Sequence, residues 1–105
     1  MKFVFEVKVK PNATEEQYVQ AWQKGSEIIQ RQPGALGTEL HRKIGEEGVF
    51  LAIATWESVE ARDRAMAELK GMDQEMQEIL SRHEEFGDIT VIGAFEDPEW
   101  RVENT

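Results

Sequence analysis

Val49-Phe50-Leu51-Ala52-Ile53-Ala54 is apolar at every position and runs into Thr55-Trp56-Glu57-Ser58. A run this short suits a strand better than a helix, and a strand with one wet face would alternate apolar with polar residues. The segment is therefore expected to be a central strand covered on both faces. Upstream, Ala35 to Ile44 reads as a second strand, and Gly45-Glu46-Glu47-Gly48 as the turn that joins the two into a hairpin. Near the amino terminus Phe3, Phe5, Val7 and Val9 alternate with mostly polar neighbours, the period of two of a half-buried strand. Pro11-Asn12 breaks it. Thr14 with Gln17 three residues on matches a capping box, in which hydroxyl and amide each satisfy an otherwise orphaned N–H. The helix that starts there carries Tyr18, Ala21, Trp22, Gly25, Ile28 and Ile29 on one stripe and ends at Pro33-Gly34.

Beyond the central strand, Ser58 is expected to cap a second helix bearing Ala61, Ala65 and Leu69, and Gly71 allows a break before a further helical stretch with Met72, Met76, Ile79 and Leu80. Asp88 to Phe95 then supplies a last strand. The order β-α-β-β-α-β predicts an α+β, ferredoxin-like antiparallel sheet with helices on one face. Its strands are expected in the spatial order fourth, first, third, second, which puts the all-apolar strand in the middle. The other face of the sheet is left bare, and packing two such faces about a two-fold axis covers both, so a homodimer is expected. Residues 1–95 form the predicted domain, and residues 96–105, with Glu96, Asp97, Glu99, Glu103 and a solitary Trp100, an acidic tail that could act as a dimer arm.

Composition narrows the function. The 105 residues hold one domain, and 40% hydrophobic content suffices for one core. A net charge of −9, from 12 basic and 21 acidic side chains, repels phosphate, so neither nucleic acid nor an anionic membrane surface is an expected partner. No run approaches the roughly 20 apolar residues that cross a bilayer. Met1 to Lys10 lacks the unbroken apolar stretch of a signal peptide, which points to the cytoplasm. With no cysteine, thiol chemistry and disulfides drop out. The two histidines, His41 and His83, stand too far apart in sequence to suggest a metal site, and no cofactor is expected.

Pro33-Gly34-Ala35-Leu36-Gly37 and Ala54-Thr55-Trp56-Glu57-Ser58, together with the first strand, Lys10-Pro11-Asn12-Ala13-Thr14-Glu15-Glu16 and the amphipathic helix, resemble the antibiotic biosynthesis monooxygenase domain over nearly the whole chain. The resemblance implies a dimeric α/β barrel with a cavity between sheet and helices in each subunit. Two activities are implied with it, cofactor-free oxidation of electron-rich aromatics and oxidative haem degradation. The haem branch carries an Asn, a Trp and a His where this chain has Val7, Ala65 and Glu75, so haem degradation is disfavoured. The quinone-forming branch carries a site Trp that matches Trp56, but its Asn and Tyr are replaced by Ala52 and Arg62. Spacing from the Pro-Gly turn sets His41 where such enzymes also have a histidine.

With a four-residue hairpin loop, Ile44 would face Val49, pairing His41 with Ala52, Glu39 with Ala54 and Gly37 with Trp56. His41, Glu39, Phe50 and Trp56 would then share one face around small residues. On that register His41 is the expected base, since an imidazole can take a proton from a phenolic substrate, with Trp56 beside it. Glu39, Phe50, Ala52, Arg62 and Trp22 are the expected substrate contacts, although Trp22 and Tyr18 also lie on a stripe that reads as core. His83, next to Arg82, reads as a charge placed to suit a helix C-terminus. The expected function is a cofactor-independent monooxygenase or oxidase of a small quinol- or anthrone-like aromatic. The alternative is a dimeric barrel that binds a small apolar ligand without turnover.

Overall fold

The computed structural model describes residues 1–104. The elements run β1 (Lys2–Val9), α1 (Glu15–Ile29), β2 (Ala35–Arg42), β3 (Val49–Trp56), α2 (Val59–Lys70), α3 (Gln74–Phe86) and β4 (Gly87–Phe95). Each helix begins on a side-chain cap. The Thr14 hydroxyl accepts from Gln17 N–H while the Gln17 amide oxygen accepts from Thr14 N–H, completing the expected capping box. Ser58 Oγ accepts from Ala61 N–H at 3.0 Å, and Asp73 Oδ1 from Met76 N–H at the same distance. These bonds satisfy donors that the first turn of a helix cannot satisfy itself.

The four strands form one antiparallel sheet in the order β2-β3-β1-β4, the expected order read from the other edge. β3 is central, as its apolar run requires. Phe50, Ala52 and Trp56 point toward the helices and are buried, whereas Leu51 and Ile53 alternate onto the opposite face and are only half-buried. Two clusters make the core: Met1, Trp56 and Ala65, and Val7, Tyr18 and Phe50. α1 packs chiefly on α3, with Gly25 facing it, where an added Cβ would make ordinary contact with the α3 backbone at 3.9 Å. Gly87, where α3 turns into β4, is packed more tightly still: a Cβ would come within 2.6 Å of Val7 and 2.8 Å of Tyr18. Val7, Ala65 and Glu75, which replace the haem-branch side chains, lie respectively in the two clusters and exposed on α3.

The hairpin register departs from the four-residue-loop expectation. Arg42 pairs with Phe50, His41 with Leu51, Leu40 with Ala52, Glu39 with Ile53 and Thr38 with Ala54, so the loop is Ile44 to Gly48 and one residue longer. Ile44, expected as the last strand residue, is 99% exposed. The register then shifts between Ala35 and Thr38, where β2 carries one residue more than β3 between the same pairings. Gly37 lies in that bulge at φ +109°, a conformation costly for any side-chain-bearing residue, and its N–H donates to Gln30 Oε1 at 2.8 Å.

Candidate functional site

Between the sheet and the helices lies a cavity of about 320 Å³. Its floor is Phe3 and Phe5 of β1, Ala54 and Trp56 of β3, Thr38 of β2, and Ile89 and Val91 of β4; Trp22 and Ile29 of α1, Arg62 and Met66 of α2, and Leu80, His83 and Glu84 of α3 wall it. The alternation of β1 and β3 brings the floor residues to one face, since Phe3 pairs with Ala54 and Phe5 with Ala52. Ala54 contributes a small side chain to this floor beside Phe3 and Trp56. Trp56 is 2% exposed, packed against Met1 and Ala65, and its backbone carbonyl accepts from the Met1 ammonium at 2.9 Å. The indole is thus held on both its packed face and its main chain.

Besides the neutral Ser26, Gln30 and Thr38, three ionisable side chains interrupt the apolar lining among the described residues. The Arg62 guanidinium carbon lies 3.8 Å from the Phe3 ring centroid, a cation–π stack. Among the described residues no carboxylate comes within 4.0 Å of Arg62, whereas Arg42 pairs with Glu15 and Lys43 with Glu46. His83 Nδ1 is 2.7 Å from the Leu80 carbonyl oxygen, and since a carbonyl only accepts, Nδ1 is the donor, which in the neutral imidazole leaves Nε2 as the accepting nitrogen. Glu84 reaches the rim from the exposed side of α3. Among the described residues no three His, Asp or Glu gather closely enough to hold a metal ion.

Of the residues singled out from sequence, Trp56, Arg62 and Trp22 line this cavity. His41 and Glu39 do not. The longer hairpin loop pairs them with Leu51 and Ile53, and a slip of one residue sends every side chain of a strand to the other face. They stand together on the sheet face away from the helices, His41 Nε2 3.4 Å from Glu39 Oε2, both exposed. The expected pairing of His41 with the Trp56 pocket is corrected accordingly. Phe50 does face the helices, but its ring stacks on Tyr18 at 5.9 Å in the core, and Ala52 beside it is fully buried; neither lines the cavity. The histidine that does line it is His83. Its signal in the sequence is the spacing of Met76, Leu80 and His83, one stripe of α3 that turns inward.

The profile of the antibiotic biosynthesis monooxygenase family matches residues 1–68. No curated protein matches the chain by sequence. Among solved structures, SnoaB, a cofactor-independent oxygenase from Streptomyces nogalater, superposes with a TM-score of 0.69 at 17% identity, over 94% of this chain and 96% of that one. A candidate antibiotic biosynthesis monooxygenase from Caulobacter crescentus gives 0.64 at 19% identity, over 90% and 89%. A conserved protein from Methanosarcina mazei gives 0.64 at 12% identity, over 88% and 89%. At these identities the likeness is one of fold.

Proposed function

The chain belongs to the antibiotic biosynthesis monooxygenase family, and from that premise we propose that it is a cofactor-independent oxygenase of a small, electron-rich aromatic, quinol- or anthrone-like, bound in the cavity beside Trp56. The observation that carries the reading is the cavity itself: an apolar, aromatic-walled space between sheet and helices with few polar groups, the form that small-molecule sites take. Its volume of about 320 Å³ lies at the lower end of the roughly 300–1,000 Å³ usual for such sites, which favours a small ring system over an extended polycycle.

The chemistry asks little of the protein. A deprotonated, electron-rich ring gives one electron to O₂, the two radicals combine at carbon, and loss of water leaves a carbonyl. At an anthrone-like methylene the sum is CH₂ plus O₂ giving C=O plus H₂O, so the substrate supplies all the electrons. The protein binds the ring, keeps water away from the radical pair and stabilises the anion. Trp56 and Phe3 supply the flat apolar walls for this.

Oxygen consumption with an anthrone or a naphthalene hydroquinone tests the proposal. Uptake should depend on the protein and survive a chelator, and Trp56→Phe, which keeps most of the packing volume, should lower kcat/KM about tenfold or more, ~1.4 kcal/mol of transition-state stabilisation. Saturable binding without oxygen uptake would instead identify a small-ligand-binding protein, the reading favoured by Ala52 and Arg62 at positions where the quinone-forming relatives are expected to carry Asn and Tyr.

A further inference from the structure

We infer that the cavity selects aromatics bearing an ionisable hydroxyl, with His83 Nε2 accepting the proton and Arg62 holding the resulting oxyanion. The inference rests on the aromatic-binding reading of the cavity and adds the ligand's charge and the residues that recognise it.

Among the described residues three titratable side chains line the cavity: Arg62 from α2, and His83 and Glu84 from α3. Glu84 is exposed, so solvent screens it. Arg62 is half-buried and stacked on Phe3, with no carboxylate within 4.0 Å among the described residues, in a chain where acids outnumber bases 21 to 12. An unpaired guanidinium on an apolar wall favours an anionic ligand, because its planar donors are weakly hydrated and the surroundings screen little. His83 supplies the complementary function. The Leu80 carbonyl fixes the tautomer through Nδ1 and orients the ring, leaving the Nε2 lone pair as the accepting group. In the step, the ligand O–H breaks, its proton goes to Nε2, and the electron pair stays on the oxygen that Arg62 pairs; nothing is oxidised.

The test uses para-nitrophenol, whose phenolate is visible by absorbance, and its neutral methyl ether para-nitroanisole, on the 105-residue chain without turnover. Bound para-nitrophenol should ionise about 1 pH unit or more below the free compound, as an opposite charge nearby produces. Arg62→Gln should abolish that fall while circular dichroism shows the variant folded and para-nitroanisole keeps a measurable affinity, and Arg62→Lys should restore part of it. In His83→Gln the phenolate should form with release of a proton to buffer that the wild type retains, read from the dependence of binding enthalpy on the buffer. Equal binding of both compounds with no fall, or a fall that survives Arg62→Gln, overturns the assignment of Arg62. Proton release unchanged in His83→Gln overturns that of His83. Binding of neither compound overturns the aromatic cavity itself, and the inference with it.

Discussion

Tyr18 is fully buried, its ring stacked on Phe50, and its hydroxyl has no hydrogen-bond partner among the described residues. Burial alone raises its pKa well above the ordinary tyrosine value, because the phenolate would sit unsolvated in the core. A buried hydroxyl without a partner costs roughly 1–3 kcal/mol, so Tyr18→Phe should raise stability by about 1 kcal/mol at neutral pH, measured by urea unfolding. The pH dependence has a definite sign. The folded value is raised, so the associated stability is complete below the ordinary value near 10.0 and falls as pH rises beyond it, where the unfolded chain ionises and the folded one resists. Tyr18→Phe should remove that alkaline decline; an unchanged decline would mean that Tyr18 ionisation is not its source. At this scale Trp56, Trp22 and Arg62 were legible in the sequence, since sequence pattern and resemblance locate them without long-range pairing. His83 was not chosen, because although its spacing with Met76 and Leu80 points inward, a histidine at a helix end suits the macrodipole equally well, and the packing of α3 on α1 decides between the two.

Glu15, the first residue of α1, joins three elements. Its carboxylate pairs with Arg42 at the end of β2 and accepts from Gly48 N–H at 2.8 Å, clamping the β2–β3 loop to the helix start. The Arg42 hydrogen bond, with the Gly48 N–H second, holds its carboxyl below the usual value. A depressed folded value contributes stability that is present above the unfolded value and lost as pH falls through the folded one. Glu15→Gln should therefore flatten the loss of stability below about pH 4.5, while unfolding at neutral pH shows a smaller Tm for the variant than for the wild type. An acid limb identical to the wild type would remove the clamp from the account. The same loop explains what the sequence could not reveal. Strands, caps at Thr14 and Ser58 and the break near Gly71 are local, set by period, capping side chains and glycine, and they were readable. Register is not local. Whether the loop holds four or five residues turns on Ile44, apolar and yet fully outside the strand, and that one residue decides whether His41 or Leu40 faces the helices.

The outer face of the sheet, away from all three helices, presents Val4, Leu51, Ile53 and Phe95 among Lys2, Glu6, Glu39 and His41. A mixed face of this kind suits a second copy of itself, apolar centre on apolar centre with opposite charges at the rim, so sedimentation equilibrium at micromolar concentration should give twice 12.1 kDa. The tail starts from this region. Asp97 pairs with the Met1 ammonium at 3.0 Å, which fixes the chain just past β4, while Trp100 and Val102 beyond it are 85% and 99% exposed on a single subunit. Residues 96–105 are proposed as an arm that reaches the neighbouring subunit, since a solitary indole in an acidic segment has no surface of its own chain to cover it. Burying an aromatic side chain contributes roughly 1.5–3 kcal/mol, so Trp100→Ala, which spares the Asp97 contact, should weaken the dimer about tenfold or more while each subunit keeps its fold. Trp100 fluorescence, with Trp22 and Trp56 replaced by Phe, reads the docking directly: emission should be blue-shifted and poorly quenched by iodide wherever the dimer persists. Emission like free tryptophan under those conditions, with a dimer constant indifferent to Trp100→Ala, would show that the arm stays in solvent and that the sheet faces alone hold the two subunits together.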